Sequence, residues 1–361
     1  MLLYLHIPFC HRICPYCSFY KHTPGKTPIG EFIEALGQEA QQRIVSQPRT
    51  LYLGGGTPSM LSPGHLQKLF AALQEQVDFS SLEEVTLEAN PATFDLAKAR
   101  LFRELGVTRV SLGIQSFHAP TLQTLGREHD PKQAAQSVEI LREAQLPKIN
   151  IDLMFSIPGL GDADWRETLQ RSIELQPDHI SAYNLTYEED TAFFESLQRG
   201  ELDASEDRDS TQFHLADELL TGAGFDHYET SNYARPGAES THNRGYWQGE
   251  DYLGLGPSAV STLGGERSRN VADTAAYVRR IQSIGHATDE SERLSPQQQT
   301  IERIALGLRT REGIALELLD EAGRNRARTL CEEELARIED GRLTLRGVGR
   351  ALVDPIVAEL I

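Results

Sequence analysis

Short apolar runs alternate with longer amphipathic ones through the first half of the chain. Leu2-Leu-Tyr-Leu-His-Ile7 predicts a buried strand closed by Pro8. Behind it, Ile29, Phe32, Ile33, Leu36, Ala40 and Ile44 fall on one face of a helix over 29–45. Thr50-Leu-Tyr-Leu53 is the next strand and runs into Gly54-Gly-Gly-Thr-Pro58. The alternation continues with a helix over 66–77, a strand over 84–89, a helix over 96–105 and a strand over 109–114. A helix over 132–144, a strand over 149–155, a helix over 165–175 and a sixth strand over 179–185 complete it. Strands separated by helices at this spacing form a parallel sheet with right-handed crossovers. Six such units can open into a doubly wound sheet or curl into a partial barrel. The polar segments favour the barrel, because nearly all of them come directly after a strand and so gather on one rim.

After Leu185 the pattern loosens. Residues 205–224 predict one more helix, ended by Gly222 and Gly224. The stretch 226–265, rich in Gly, Asn and aromatic residues, predicts strands and loops, and 272–284 a helix. The polar run Thr288 to Pro296 reads as a connector between domains. Beyond it come helices over 297–308, 314–322 and 329–339, a small hairpin over 341–347 and a last helix to Leu360. The expected organisation is an α/β unit over 1–225, an added mixed region over 226–287 and a small C-terminal unit over 288–361. Helices followed by a short wing make that last unit resemble a winged-helix module.

A chain of 361 residues can bury a substantial core. Its 53 acidic and 35 basic side chains give a formal charge of −18, which opposes nucleic acid as a partner. For a winged-helix-like end that balance favours docking or packing over DNA binding. No apolar run reaches the ~18 residues of a membrane span. The apolar opening, Leu2 to Phe9, has no basic leader and no small-residue cleavage site, so it is not a signal peptide. Four cysteines in so long a chain make no disulfide framework. A reducing cytoplasm is the expected compartment.

Three of those cysteines stand together as Cys10-His-Arg-Ile-Cys14-Pro-Tyr-Cys17, delivered by the first strand. Thiolates this close can share a metal centre. Structural zinc usually closes with four ligands in two separated pairs, and no second pair exists here. Three thiolates suit a 4Fe-4S cluster with one iron left open to a small molecule. A redox dithiol or plain core cysteines are the alternatives that the cysteines alone leave standing. The glycine run after the second strand lets backbone approach a ligand closely and expose its amides and carbonyls. It lacks both the dinucleotide and the phosphate-loop spacing. Later strands end in Glu88-Ala-Asn-Pro91 and Gln115-Ser-Phe117, and Asp152 interrupts an otherwise apolar strand. A carboxylate placed there is costly unless paired or hydrogen-bonded.

The C-x-x-x-C-x-x-C spacing resembles the signature of the radical S-adenosylmethionine (radical SAM) superfamily. That resemblance implies a 4Fe-4S cluster on Cys10, Cys14 and Cys17. It also implies SAM chelated to the open iron and cleaved to a 5′-deoxyadenosyl radical. Tyr4-Leu-His-Ile-Pro-Phe-Cys10, Gly54-Gly-Gly-Thr-Pro-Ser59, Glu88-Ala-Asn-Pro91, Gly113-Ile-Gln-Ser-Phe117 and Asp152-Leu-Met occur in that order. Together they are similar to the coproporphyrinogen dehydrogenase branch of that superfamily. The branch implies a (βα)6 partial barrel and assigns SAM contacts to Tyr4, Tyr16, Gly55, Gly56, Thr57, Glu88, Gln115, Arg127 and Asp152.

Within the branch, decarboxylating dehydrogenases carry a further cysteine two residues past the third, and this chain has Phe19 there. They also carry a long N-terminal arm before the first strand, whereas this chain starts almost at the strand. Thr241-His-Asn-Arg-Gly-Tyr-Trp247 instead resembles the H-N-x-x-Y-W motif of the HemW family of haem chaperones. That family implies haem as cargo, a haem-accepting protein such as a respiratory one as partner, and His242, Asn243, Tyr246 and Trp247 as candidate haem-binding residues. An imidazole among aromatics suits an iron porphyrin; ordinary loop packing is the alternative. Val260 stands where relatives usually have His. Cys331, on a predicted helix, reads as a core thiol rather than a fourth iron ligand.

Overall fold

The computed structural model describes residues 1–25 and 28–361. All six expected strands form: β1 (Leu2–Ile7), β2 (Thr50–Gly55), β3 (Glu84–Ala89), β4 (Arg109–Gln115), β5 (Lys148–Phe155) and β6 (His179–Asn184). They lie side by side in chain order and pair in parallel. Three of the crossover helices start where Ser62, Asp95 and Asp130 side chains accept a first-turn amide, each cap stabilising by about 1 kcal/mol.

Alternation along each strand separates barrel from doubly wound sheet. Leu3, Leu5, Leu51, Leu53, Leu87, Leu112 and Ile151 are all 0 % exposed, in one core with helix residues Phe32, Leu36, Leu69 and Phe70. The opposite strand positions are Tyr52, Thr86, Ser111, Asn150 and Ser181, a polar set that bonds to itself rather than to a second helix layer. Asn150 Nδ2 donates to Ser111 Oγ (2.6 Å) and Ser181 Oγ (3.1 Å), and its Oδ1 meets His179 Nδ1 at 2.6 Å. Helices therefore cover one face of the sheet, and the polar face lines the bore of a partial barrel.

Strands from the second half widen this sheet on both sides. The hairpin of β7 (Asp226–Glu229) and β8 (Asn232–Ala234) joins β6 antiparallel. On the other edge β9 (Tyr252–Leu255) pairs in parallel with β1, and β10 (Val260–Leu263), β11 (Glu266–Asn270) and β12 (Thr288–Arg293) continue the sheet antiparallel. The polar stretch read as a connector is thus mostly β12, an exposed edge strand. Its charges suit an edge that must not pair further, and they hid its period. The region expected to hold only strands and loops also contains the helix Thr241–Trp247. Glu84, at the start of β3, caps it by accepting from Ser240 Oγ (3.1 Å), Thr241 N (3.0 Å) and His242 N (3.2 Å). The helix thereby closes the bore at the end where the strands begin.

A second core runs from Ile304 to Leu360. Two helices expected there are wrong in register. Residues 314–322 form β13 (Ile314–Ala315) and a single turn, and the helix is Glu321–Glu332, started by Asp320 accepting from Gly323 N (2.8 Å). The segment after this helix is a strand, β14 (Ala336–Glu339), paired with β15 (Arg342–Leu345) around Asp340-Gly341. Cys331 packs partly buried against this core.

The β7–β8 hairpin carries a misfit acid where it meets this C-terminal unit. Thr230 N donates to Arg309 O (2.8 Å) and Arg311 N to Tyr228 O (3.1 Å). Glu229 between them is 3 % exposed, and its carboxylate has only poorly aligned contacts, from Asn232 and the Ser231 backbone. Burial pushes its pKa up to about 7. The fold therefore favours the protonated acid: the contribution of Glu229 to stability is full below about pH 4.5 and falls as pH climbs to about 7. Glu229→Gln keeps the neutral shape. It raises the melting temperature at pH 8 by a few degrees, on the order of 2 kcal/mol, and flattens the fall between pH 5 and 7 in scanning fluorimetry. An unaltered pH profile would exclude this role.

Candidate functional site

The cysteine loop leaves β1 at Pro8 and is fastened to the glycine loop by backbone. Gly56 N donates to Ile7 O (2.7 Å), Thr57 N to Phe9 O (2.8 Å), Cys10 N to His22 O (3.0 Å) and His22 N to Pro8 O (2.8 Å). Only glycine permits this approach. A Cβ on residue 56 would lie 2.6 Å from Phe9 O, and one on Gly55, whose φ is +104°, 2.6 Å from the His6 ring. The amides expected to face a ligand are used internally, since Gly55 N donates to Glu88 Oε2 (3.2 Å). The loop can therefore meet a bound amine only through its carbonyl oxygens, the chemistry an ammonium group requires.

Above the loop opens a cavity of about 400 Å3. All three clustered cysteines line it, together with Tyr16, Gly55, Gly56, Thr57, Glu88, Gln115, Arg127 and Asp152. Tyr4 alone of the expected SAM contacts is not in the lining. Its hydroxyl meets His6 Nδ1 (3.1 Å) and its ring lies 6.1 Å from that of Tyr52, a layer below. Cys10 Sγ accepts from Thr57 Oγ1 (3.6 Å) and Cys14 Sγ from Arg127 Nη1 (3.7 Å), so both sulfurs face the rim. Among the described residues no three His, Cys, Asp or Glu side chains converge on a point that would hold a single ion. Three soft ligands facing one cavity without converging fit the separate irons of a cluster better than one zinc ion. Burial pushes the Cys10 and Cys17 thiols up, so thiolates for iron would form only as metal binds, with release of their protons.

The carboxylates of the cavity are prepared differently. Burial pushes Glu88 up to about 7, against the hydrogen bond from Tyr52 Oη to Oε1 (2.7 Å). A cation brought beside it would favour the carboxylate. Asp152 accepts from Ser111 Oγ (2.9 Å) and Asn150 Nδ2 (2.7 Å), so side chains rather than backbone amides satisfy it. Gln115 stands at φ +69°, a left-handed value costing roughly 1 kcal/mol, beside an irregularity in the β4–β5 register. Tyr52, Ser111, Met154 and Tyr183 also line the cavity and were missed. Their signal was present: each occupies the polar-face position of its strand near the rim. Phe19, 68 % exposed, stands at the cavity mouth.

The residues expected to bind haem lie at the other end of the bore. His242 is 1 % exposed; its Nδ1 meets Thr50 Oγ1 at 2.7 Å, and Tyr52 and Tyr246 pack on its ring at 5.0 and 4.8 Å. Burial pushes its pKa down to about 3. Its Nε2 is buried without a hydrogen-bond partner, so the ring, packed between two tyrosines, keeps one uncommitted nitrogen. Asn243 is half-buried on the same helix, its amide capped by Ser240 Oγ (3.3 Å), and Tyr246 packs edge-on against Tyr252. Trp247 alone of the four lines an opening, a cleft of about 700 Å3 toward the C-terminal unit. Val260 begins β10 with its carbonyl tight against Gly254, where an added Cβ would lie 2.1 Å away.

Residues 4–171 match the Radical SAM superfamily. The chain is 35% identical over 341 residues to a Lactococcus lactis protein named heme chaperone HemW, spanning 94% of this chain and 89% of that one. A Mycobacterium tuberculosis protein of the same name is 35% identical over 368 residues, 99% of this chain and 94% of its own. Coproporphyrinogen III oxidase (HemN) from Escherichia coli, a radical SAM enzyme, has the same fold at a TM-score of 0.85. It is 22% identical, over 99% of this chain and 89% of that one.

If His242 is a floor residue and not a ligand, His242→Ala leaves a cavity. It should lower stability by about 2 kcal/mol, a few degrees in melting temperature, while SAM affinity by calorimetry stays within about twofold. Lost SAM binding at an unaltered melting temperature would show the ring to serve the rim.

Proposed function

The chain belongs to the radical SAM superfamily and, within it, to the HemW family, and from that membership we propose a haem chaperone. It would hold a 4Fe-4S cluster and SAM at the rim, carry haem and hand it to an acceptor protein such as a respiratory haem protein in a reducing cytoplasm. The observation that carries this reading is 35% identity to named haem chaperones across nearly the whole chain, the helix Thr241–Trp247 included.

The residues present suit that cofactor pair. Cys10, Cys14 and Cys17 would ligate three irons; the carbonyls of Gly55 and Gly56 and the buried Glu88 would hold the SAM amine, Arg127 its carboxylate, and Asp152 a ribose hydroxyl. When bound, a reduced cluster supplies an electron to the sulfonium. The contribution of the chain is to orient SAM and keep water from it, with Tyr16 over one side and Phe19 at the mouth. A cavity of about 400 Å3 lies toward the small end of ligand sites. The cysteines and the expected SAM contacts line that cavity, so the cluster and SAM would occupy it, and we place the macrocycle elsewhere. The cleft of about 700 Å3 beside Trp247 offers apolar Ile314 and Leu318, with Arg303 and Arg342 as partners for propionates. The indole Nε1 of Trp247 is buried there without a partner. We take this cleft as the haem seat and the C-terminal unit around it as the docking side for an acceptor.

The second reading, oxygen-independent coproporphyrinogen III dehydrogenase, shares the fold. Phe19 counts against it, since an exposed phenyl ring cannot take over thiol chemistry.

Anaerobic reconstitution should give one 4Fe-4S cluster per chain, lost in Cys14→Ala by iron and sulfide analysis; a zinc-only preparation would favour a plain metal site. Haem titration should give a shifted Soret band, weakened about tenfold in Trp247→Ala and retained in His242→Ala. Conversion of coproporphyrinogen to protoporphyrinogen with SAM and a reductant would overturn the chaperone reading.

A further inference from the structure

Two of the three cluster sulfurs are tied to one another through a single side chain. Asn90, just past the end of β3, donates from Nδ2 to Thr57 Oγ1 (3.0 Å) and accepts at Oδ1 from Arg127 Nη2 (2.5 Å). Thr57 Oγ1 donates in turn to Cys10 Sγ (3.6 Å), and Arg127 Nη1 to Cys14 Sγ (3.7 Å). The amide's orientation is forced. A guanidinium has only donors, so the atom facing Arg127 must be the carbonyl oxygen, which turns the NH2 toward Thr57. The hydroxyl, already accepting, then has its own proton free for sulfur.

Asn90 is held rigidly for this task. Its backbone N–H donates to Ser59 Oγ (3.2 Å), its backbone carbonyl accepts from Thr93 Oγ1 (2.6 Å), and those two hydroxyls meet at 2.7 Å. Arg127 Nη2 is fixed from the other side by Gly113 O (2.6 Å), at a position where a Cβ would lie 2.9 Å from Asn90 Oδ1. Cys17 lies instead beside the Lys21 ammonium and the Phe19 backbone N–H. The bridge through Asn90 therefore serves Cys10 and Cys14 alone.

We propose that Asn90 is a positioning residue that sets the reduction potential of the cluster, by aiming the Thr57 hydroxyl at Cys10 and the Arg127 guanidinium at Cys14. This rests on the reading of the rim as a cluster site. Donors aimed at ligating sulfurs stabilise the electron-richer, reduced state and raise the potential. A carboxylate at 90 would accept from both neighbours, turning the Thr57 proton away from Cys10.

The test is a redox titration of the reconstituted full chain, monitored by EPR. Asn90→Asp and Thr57→Val should each load wild-type iron and lower the potential. The expected size is an about tenfold fall in the reduced-to-oxidised ratio at fixed poise, which for a one-electron couple is about 59 mV. Asn90→Asp made in the Thr57→Val background should shift the potential by less than it does in wild type, because the hydroxyl it acts through is gone. An equal shift in both backgrounds would reduce the effect to added charge and overturn the proposal, as would no shift at all. Where Asn90→Asp fails to load, Thr57→Val carries the test, since it removes the same bond to sulfur without a charge; an unshifted potential there overturns the proposal equally. A wild-type chain that holds no cluster sinks the cluster reading and this one together, whereas full clusters with unmoved potentials sink only this one.

Discussion

The site depends on how closely two backbones approach. Gly56 N and Thr57 N reach the carbonyls of Ile7 and Phe9 at 2.7 and 2.8 Å, extending the β1–β2 pairing past the last residue of each strand. This contact brings the cysteine loop and the glycine loop to one rim. The bond from Thr57 Oγ1 to Cys10 Sγ adds to this contact, but the close approach itself depends on the absence of a side chain at Gly56. A methyl group on residue 56 would meet Phe9 O at 2.6 Å and part the strands where the sulfurs must be positioned. The return of the chain at His22, bonded to Pro8 and Cys10, closes the base of the cysteine loop.

The bore beneath is polar along its length, an unusual interior that folding tolerates only because its groups satisfy one another. Asn150, Ser111, Ser181 and His179 bond among themselves, and His179 Nε2 continues to Tyr228 Oη at 2.8 Å. The floor is joined to the rim by direct contacts. His242 packs on Tyr52, the Tyr52 hydroxyl donates to Glu88, and Glu88 takes the amide of Gly55 in the loop that faces the cavity. The H-N-x-x-Y-W segment thus does structural work at its first residue and presents a surface at its last. A motif whose residues share a helix need not share a site: on Thr241–Trp247, His242 and Trp247 are five positions apart and face different surroundings.

How much of the fold and site was legible in the sequence depends on where each signal resides. Strands with an apolar face against helices have a strong period, and β1 to β6 were readable for that reason. The rim was readable because its cysteines and glycines are chemically rare. β12 was not, because both of its faces meet solvent and no alternation of burial marks it. The helix Thr241–Trp247 has a local cap in Ser240, but it is only seven residues long. Most of its first-turn bonds go to Glu84, a residue far away in sequence, so the local signal was weak. The register error at 314–339 has a similar origin: Ile314-Ala-Leu-Glu-Leu-Leu reads as helix locally, and pairing of Ile314 with Leu343 overrides it. Asn90 was visible within Glu88-Ala-Asn-Pro91, but its function depends on which atoms of Thr57 and Arg127 it meets. Those partners come from the segments after two other strands, and only the folded sheet brings them beside it. Periodicity predicts elements, and rare residues predict chemistry. The order in which hydrogen bonds connect them is a property of the assembled rim, where one amide with a forced orientation links two sulfurs that the sequence separates by three residues.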